Sequence, residues 1–204
     1  MTREKVLKVA KPILFNTDMV MAIQDGTKTT TRRVVKPQPP KDAKGTFERM
    51  DNGNFQLKIA PYELIYDYEI KPQYEVGDIL YVRETWTKGS LNYEKERYYY
   101  KADNEIPGCR WEPSIHMPKE AARIFLRVTD VRVERLQDIT DEEAEKEGCV
   151  DYTSTANGFF SVWDNTVKKS DIDRYGWNAN PWVWVFEFER LEVDDKVWAK
   201  DTKN

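Results

Sequence analysis

Residues 26–33 have the sequence Gly26-Thr27-Lys28-Thr29-Thr30-Thr31-Arg32-Arg33. This octet places three cations and four hydroxyl groups directly after a glycine. Cations and hydroxyl donors at close quarters suit an anionic or carbonyl-rich small ligand. The same composition is also typical of a solvated turn after a helix, and spacing alone does not choose between the two interpretations.

The octet is predicted to begin where a short helix ends. Asn16 or Thr17 can cap this helix, Met19 and Ile23 lie four residues apart on its buried stripe, and Gly26 ends it. The exposed carbonyls at such a helix end favour nearby lysine and arginine side chains. The β-branched run 29–35 that follows is predicted to be extended.

The composition narrows the class of ligand. The chain has 204 residues, of which 40% are hydrophobic and 13% aromatic, enough to build a core. A net charge of −4 argues against a surface coated with cations for long duplex nucleic acid, but it leaves room for a local basic pocket. The predicted ligand is therefore a nucleoside or a short single-stranded RNA.

Several other classes receive no support from the sequence. Cys109, Cys149 and His116 show no metal-ligand spacing, so no metal site is predicted. No glycine-rich dinucleotide or Walker A motif is present, and no cofactor is predicted. No apolar run approaches the roughly 20 residues that span a bilayer, and residues 1–10 form a polar lead-in without the apolar core of a signal peptide. We expect a cytoplasmic protein without a membrane partner.

Short alternating strands interleaved with one or two helices predict an α+β fold. The expected architecture is a small, partly closed mixed β-barrel decorated with helices, in a single domain over residues 1–204. Strands are predicted at 11–15, within 76–86, at 97–102 paired with the preceding one, at 124–133 and at 182–188.

Two segments, 37–73 and 149–178, are predicted to be insertions on this barrel. The first contains an alternating run at 54–59 after the turn Asn52-Gly53, which indicates half of a hairpin. The second places Phe159, Phe160 and Trp163 at helical spacing. Between the core strands, Thr140 to Glu143 has the form of a capping box that opens a helix running to Glu147.

The spacing Gly-x-Lys-x-x-x-x-Arg, met here at Gly26, Lys28 and Arg33, resembles the signature of the ASCH family. Domains of that family are similar to PUA-like RNA-binding barrels, which is the fold the resemblance implies. The resemblance covers residues 11–36, 76–86, 124–148 and 181–190, and leaves both insertions outside.

Two branches of that family are relevant. The chain resembles a set of phage-encoded proteins in the runs 25–26 with 31–34, 83–86, 114–118 and 180–184. The octet also resembles that of a small bacterial N4-acetylcytidine amidohydrolase. That resemblance implies a catalytic set of Lys28, Thr31 and a helical acid, which aligns with Glu147, while Glu143 and Glu145 lie one alignment slip away.

Two mechanisms for amide hydrolysis follow from this set. A neutral Lys28 can take the proton of a nucleophilic Thr31, which requires the amine pKa to be lowered by burial or by nearby cations. Alternatively, a charged Lys28 stabilises the oxyanion and Glu147 activates water. Residues 28 and 31 face opposite sides of a regular strand, so the first mechanism needs a turn or bulge after Gly26, or a residue 28 that still lies in the helix exit.

The remaining candidate ligand-binding residues come from the octet and from two other motifs. Arg33 is expected to pair with a base carbonyl or a phosphate. Glu84 and Trp86 place an acid and an aromatic ring at a strand end, and His116 is the only histidine. Packing and structural hydrogen bonds are the alternative roles of the latter three. The full set of candidates is Arg32, Arg33, Glu84, Trp86, Ser114 and His116.

The functional prediction is a PUA-like ASCH protein that binds a modified nucleoside or short RNA and hydrolyses the acetyl amide of N4-acetylcytidine. Two alternatives from other classes stay open. One is a non-catalytic RNA-binding module that uses the same cationic pocket. The other is a phage-encoded factor that acts by binding another protein, whose identity the sequence does not specify.

Overall fold

The structure is a computed structural model that describes residues 1–40, 45–59, 64–89, 96–103, 106–149 and 155–194. Its several sheets and few helices form the mixed α+β fold that the sequence predicted. The longer elements are α1 (Arg3–Val9), β1 (Lys11–Leu14), α2 (Thr17–Asp25), β2 (Thr30–Val34), β3 (Thr46–Arg49), β4 (Phe55–Ile59), β5 (Leu64–Ile70), β6 (Ile79–Arg83), β7 (Trp86–Gly89), β8 (Arg97–Tyr100), β9 (Phe125–Arg135), α3 (Asp141–Lys146), α4 (Thr155–Thr166), α5 (Ile172–Tyr175) and β10 (Trp182–Arg190).

The chain divides into two compact units. The first comprises Met1–Gly26, Gly77–Arg127 and the chain from Glu189 on. The second comprises Thr27–Val76 and Val128–Phe188, and it contains the whole octet after Gly26. The single domain with two insertions stays a prediction.

In the first unit, β1 and the start of β9 flank β6. The pairing of β1 with β6 is parallel and aligns Lys11 with Leu80, and the pairing of β6 with β9 is antiparallel and aligns Leu80 with Leu126. Leu80 of β6 and Leu126 of β9 are both fully buried. Strand β6 is the central strand of the three and is covered on both faces.

The N-terminal segment corrects one expectation. Residues 1–10 were predicted to be a polar lead-in, but Arg3–Val9 is a helix. Its Val6 is fully buried in a cluster with Ala10, Met117 and Phe125. Val6 and Ala10 form a single apolar pair four residues apart, which is too short a pattern to predict a helix. The tertiary packing of Val6 stabilises the helix instead.

The helix before the octet is as predicted. The Asn16 side chain accepts a hydrogen bond from the Met19 N–H at 2.8 Å, which caps the start of α2. Gly26 ends the helix with φ of 87°, a left-handed conformation that disfavours side chains with a Cβ. Both ends of α2 are therefore fixed by residues that the sequence identifies.

The pairing of the tyrosine-rich strand differs from the prediction. Strand β8 pairs with β7, aligning Tyr100 with Trp86, and not with the preceding strand β6. The ladder stops after Arg83 because Glu84 departs from it: its N–H donates to the Met117 Sδ at 3.2 Å and its carboxylate is held by Arg123. The single strand predicted within 76–86 is thus replaced by two strands, β6 and β7.

In the second unit, the antiparallel ladder of β10 and β2 aligns Trp184 with Arg33 and Phe186 with Thr31. Since side chains alternate between the faces of a strand, each face has its own set. One face holds Thr30, Arg32 and Val34 of β2 with Val183, Val185 and Glu187 of β10. The opposite face holds Thr31 and Arg33 with Trp184 and Phe186.

The two faces are covered by different elements. Val34, Val183 and Val185 pack with Leu136, Ile139 and Ala144, so the face of Thr30 and Arg32 lies beneath α3, and we call it the α3 face. On the opposite face, Tyr74 lies edge-on to Phe186 at 5.2 Å and Phe55 edge-on to Trp184 at 5.3 Å. The hairpin predicted at the Asn52-Gly53 turn is confirmed as β3 paired with β4.

Helix α3 begins with the predicted capping box. The Thr140 hydroxyl accepts from the Glu143 N–H, and the Glu143 carboxylate accepts from the Thr140 N–H. The helix ends at Lys146, Glu147 is its C-cap residue, and Gly148 follows with φ of 89°. Glu147 is therefore held at the end of a helix whose start and end are both locally encoded.

Among the described helices, none is long and apolar enough to cross a membrane. Within the same residues, no group of three or more histidine, cysteine or acidic side chains is arranged to hold a metal ion. The small, partly closed barrel stays a prediction.

Candidate functional site

The loop 27–29 connects α2 to β2 and is tied to two elements of the second unit. The Thr29 N–H donates to the Lys146 carbonyl at 2.8 Å, and the Thr29 carbonyl accepts from the Phe188 N–H at 2.9 Å. These two backbone hydrogen bonds hold the loop between the end of α3 and strand β10. Lys28 therefore lies directly beside Glu147.

Lys28 is buried and surrounded by acceptors. Its Nζ lies 2.7 Å from Glu147 Oε2, 2.9 Å from the Glu147 carbonyl and 2.7 Å from the Thr30 carbonyl. The Lys28 side chain is 0% exposed and the Glu147 side chain 5%. An ammonium group has three N–H donors, and these acceptors match all three.

The charge state of Lys28 is set by two opposing effects. The pKa of the Lys28 amine is lowered below its ordinary value: burial lowers it most, the nearby Arg33 lowers it further, and the Glu147 carboxylate opposes the shift without cancelling it. A neutral amine has one donor fewer than the three acceptors require. The three acceptors around Lys28 Nζ therefore favour the charged ammonium over the neutral amine.

Arg32 shares the same carboxylate from the α3 face. Its Nη1 lies 3.2 Å from Glu147 Oε1, and its Nη2 lies 2.9 Å from Glu143 Oε2 and 3.3 Å from Glu134 Oε2. The Arg32 guanidinium is buried. Glu147 therefore bridges two buried cations, and each of its oxygens accepts from one of them.

These contacts continue through Arg132 towards solvent. Its Nη2 lies 2.7 Å from Glu143 Oε1, and its Nη1 lies 2.6 Å from Glu187 Oε1 and 3.3 Å from Asp130 Oδ2, while Nε contacts Glu134. We call the whole set the ion network. Its members are Lys28, Arg32, Arg132, Asp130, Glu134, Glu143, Glu147 and Glu187.

Two polar atoms on the α3 face have no hydrogen-bond partner within the described part of the chain. They are Thr30 Oγ1 and Arg32 Nε. Thr30 is 1% and Arg32 3% exposed, so neither atom is at the surface. Buried polar atoms are nearly always hydrogen-bonded in folded proteins, and two orphaned atoms on one strand face therefore need an explanation.

The other two octet candidates lie on the opposite face of β2. Thr31 is buried opposite Phe186, and Arg33 is half-buried opposite Trp184. Burial lowers the pKa of the Arg33 guanidinium, while Tyr74 and Glu147 act to raise it. The ladder of β2 with β10 runs without a bulge from Thr30 to Val34. Of the two octet threonines on that ladder, Thr30 shares the α3 face with Arg32. The catalytic role of Thr31 stays a prediction.

Glu84 and Trp86 belong to the first unit, where both have structural partners. Arg123 binds the buried Glu84 carboxylate through two hydrogen bonds of 2.9 and 2.8 Å. Burial raises the pKa of Glu84, and Arg123 opposes that rise. Trp86 packs against Tyr98 with ring centroids 5.7 Å apart, in the apolar cluster of α1. These contacts fit the packing alternative.

Ser114 and His116 also belong to the first unit and form one 3₁₀ turn, Ser114–His116. His116 is exposed, and the turn is followed by the buried Met117. Their predicted role in ligand binding stays a prediction.

Four members of the ion network were not among the predicted site residues: Asp130, Arg132, Glu134 and Glu187. The available signal was the strict alternation of charged residues with valines in β9, where Val131 and Val133 are buried. That pattern predicts one charged face, but it is also typical of a solvated strand. Only the packing of α3 over that face distinguishes the two.

The ion network gives a pH dependence that can be tested at Glu143. Burial acts to raise the pKa of Glu143, but the Thr140 N–H, Arg32 and Arg132 outweigh it and lower that pKa below the ordinary value of 4.5. A lowered folded-state pKa contributes stability that is present above pH 4.5 and is lost as the pH falls through the lowered value. We expect Glu143→Gln to reduce the acid-induced loss of unfolding free energy, measured by urea unfolding between pH 7 and pH 3.

Glutamine is the appropriate replacement because it retains the capping box and removes only the charge. The exposed neighbour Glu142 serves as the control, and Glu142→Gln is expected to leave the wild-type pH profile unchanged. An identical acid profile for Glu143→Gln and wild type would contradict the assigned role of Glu143.

Comparisons with known proteins add no assignment to this geometry. No protein-family model, no curated protein and no solved structure matches the chain.

Proposed function

We propose that the chain is a PUA-like ASCH protein that binds a modified nucleoside or short RNA beside Lys28 and Glu147 and hydrolyses the acetyl amide of N4-acetylcytidine. The observation that supports it is the 2.7 Å contact between Lys28 Nζ and Glu147 Oε2. These residues are 119 positions apart, and the family resemblance names both as catalytic. As part of the same proposal, we expect the strands to form the small barrel of that family.

The charged Lys28 favours the second of the two mechanisms. Glu147 takes a proton from water, and the hydroxide oxygen attacks the acetyl carbonyl. Protein acceptors occupy the three Lys28 N–H donors, so the ammonium stabilises the resulting oxyanion through its positive charge. The protonated Glu147 then gives its proton to N4 as the C–N bond breaks, which releases cytidine and acetic acid. A carboxylate has about four lone-pair sites, so Glu147 can accept this proton while Lys28 and Arg32 hold its orientation.

A non-catalytic RNA-binding module is the second candidate. It is favoured by the enclosure of the Lys28 amine by three protein acceptors, which also suits a purely structural ion pair. Buried ion pairs frequently fix a conformation without taking part in chemistry.

Incubation with N4-acetylcytidine, with chromatographic detection of cytidine, tests the proposal. We expect the wild type to release cytidine and Lys28→Met to lose activity by at least about 10²-fold, because the positive charge that stabilises the oxyanion is removed. The exposed Lys146 precedes Glu147, so Lys146→Met is the matched control and should retain full activity. Urea unfolding must show that Lys28→Met is folded at the assay temperature.

The outcomes separate the alternatives. A wild type that releases no cytidine ends the hydrolase proposal, and salt-sensitive binding of single-stranded RNA by that inactive protein would support the second candidate. If the protein neither releases cytidine nor binds RNA, but forms a stable complex with another protein in a pull-down, the protein-interaction alternative is supported.

A further inference from the structure

We infer that Thr30 Oγ1 and Arg32 Nε together form a subsite that binds a neutral carbonyl oxygen of the ligand and discriminates against phosphate. This inference rests on the proposed function, since it takes the ligand beside Lys28 and Glu147 to be the acylated nucleoside. It specifies which part of that ligand the octet recognises. We refer to the two atoms as the carbonyl subsite.

The two atoms belong to neighbouring side chains on one face of β2. Thr30 and Arg32 are two residues apart in β2 and face the same side, with Glu187 and Val185 as their cross-strand neighbours. Such residues lie about 6.6 Å apart along a strand. A single acceptor oxygen can take two hydrogen bonds of about 2.9 Å, so one oxygen between the two side chains would serve both atoms.

The donor chemistry defines the partner. The Arg32 Nε–H can only donate, so its partner must be an acceptor, while the Thr30 hydroxyl can donate to the same atom. The remaining nitrogens of Arg32 are already engaged by Glu147, Glu143 and Glu134. An oxygen with two lone pairs, as in a carbonyl group, satisfies both orphaned atoms at once.

The local charge decides between a carbonyl and a phosphate. The ion network contains three cations and five carboxylates. Counting Arg33, which is electrostatically coupled to Glu147, still leaves the carboxylates in excess. Three of these carboxylates, those of Glu147, Glu143 and Glu134, already bind the Arg32 guanidinium, so a phosphate at Arg32 Nε would lie beside them and be repelled. A neutral carbonyl avoids that penalty.

The first experiment observes the Arg32 Nε–H directly. Nitrogen-15 NMR of the arginine Nε–H groups, with the Arg32 resonance assigned by its loss in Arg32→Lys, is recorded while acetamide, N4-acetylcytidine or inorganic phosphate is added. We expect a saturable shift of the Arg32 resonance with acetamide and N4-acetylcytidine and none with phosphate. A resonance that none of the neutral probes moves, as expected if only a water binds there, overturns the inference, as does a saturable shift with phosphate.

The second experiment compares Thr30→Val with Thr29→Val. Valine keeps the shape of threonine and removes its hydroxyl, and Thr29 is the half-buried neighbour just outside β2. We expect Thr30→Val to weaken N4-acetylcytidine binding by about tenfold in calorimetry, because one hydrogen bond is lost, and Thr29→Val to leave it unchanged. The ligand-free Thr30→Val protein should be at least as stable as the wild type, since it no longer buries a hydroxyl without a partner. Equal affinities of Thr30→Val and wild type would overturn the inference.

The results separate this inference from the proposed function. Hydrolysis of N4-acetylcytidine with an unmoved Arg32 resonance would refute the carbonyl subsite and leave the function standing. A shift with acetamide, without binding of N4-acetylcytidine, would refute the function and retain the subsite as one for neutral carbonyl groups.

Discussion

Replacing Glu147 with glutamine is expected to lower the free energy of unfolding by about 3–5 kcal/mol, the range for removing one partner of a buried ion pair. Glutamine keeps nearly the same shape but cannot neutralise Lys28 and Arg32, whose side chains are 0% and 1% exposed. Arg32 retains Glu143 and Glu134, whereas Lys28 loses the carboxylate that lies 2.7 Å from its Nζ. The main cost is therefore a desolvated ammonium without its carboxylate.

Urea unfolding at neutral pH measures this effect. The exposed Glu145 lies on the same helix two residues earlier, and Glu145→Gln is expected to change the unfolding free energy by less than about 0.5 kcal/mol, as surface substitutions usually do. A loss below 1 kcal/mol for Glu147→Gln would show, on this scale, that the ion pair does not hold α3 to β2.

The second large effect is expected at Glu84 in the first unit. Glu84→Leu should lower the unfolding free energy by about 3 kcal/mol, because it leaves the Arg123 guanidinium without the acid that binds two of its nitrogens. The cost is moderated by Asp103, which accepts from Arg123 Nη1 at 2.6 Å through both oxygens, and by the Tyr100 ring, which lies 4.0 Å from the guanidinium carbon.

The double variant Glu84→Leu with Arg123→Met provides the control. Removing both charges eliminates the unpaired cation, so the double variant is expected to be more stable than Glu84→Leu alone, even though it contains one more substitution. Urea unfolding of the two variants and the wild type decides the matter. A double variant less stable than the single one would indicate that Arg123 acts mainly by packing on Tyr100.

Much of the local structure follows from short sequence signals. Asn16 and Gly26 define α2, and Thr140 with Glu143 defines the start of α3, because capping depends on residues three or four positions apart. Strand β10 follows from its run of β-branched and aromatic residues. Helix α1 was missed because one buried valine is too weak a periodic signal.

The prediction of the site was less complete for a physical reason. Lys28 and Glu147 were proposed from a family resemblance, and they are in contact. Thr30 was not singled out, because the sequence does not show which of the four octet threonines belong to the strand, which begins at Thr30. A strand that starts at Thr30 directs Thr30 and Arg32 to one face and Thr31 and Arg33 to the other.

The sequence by itself determined where α2 and α3 begin and end, which residues of the octet are charged, and that their strand alternates between two faces. All of these depend on neighbours within a few positions. The tertiary structure alone decided that α3 covers the face of Thr30 and Arg32 and that β8 pairs with β7. It also decided that a carboxylate 119 residues from Lys28 accepts a hydrogen bond from the Lys28 ammonium. Those contacts arise when distant segments pack to bury apolar surface, and packing of that kind has no local signature.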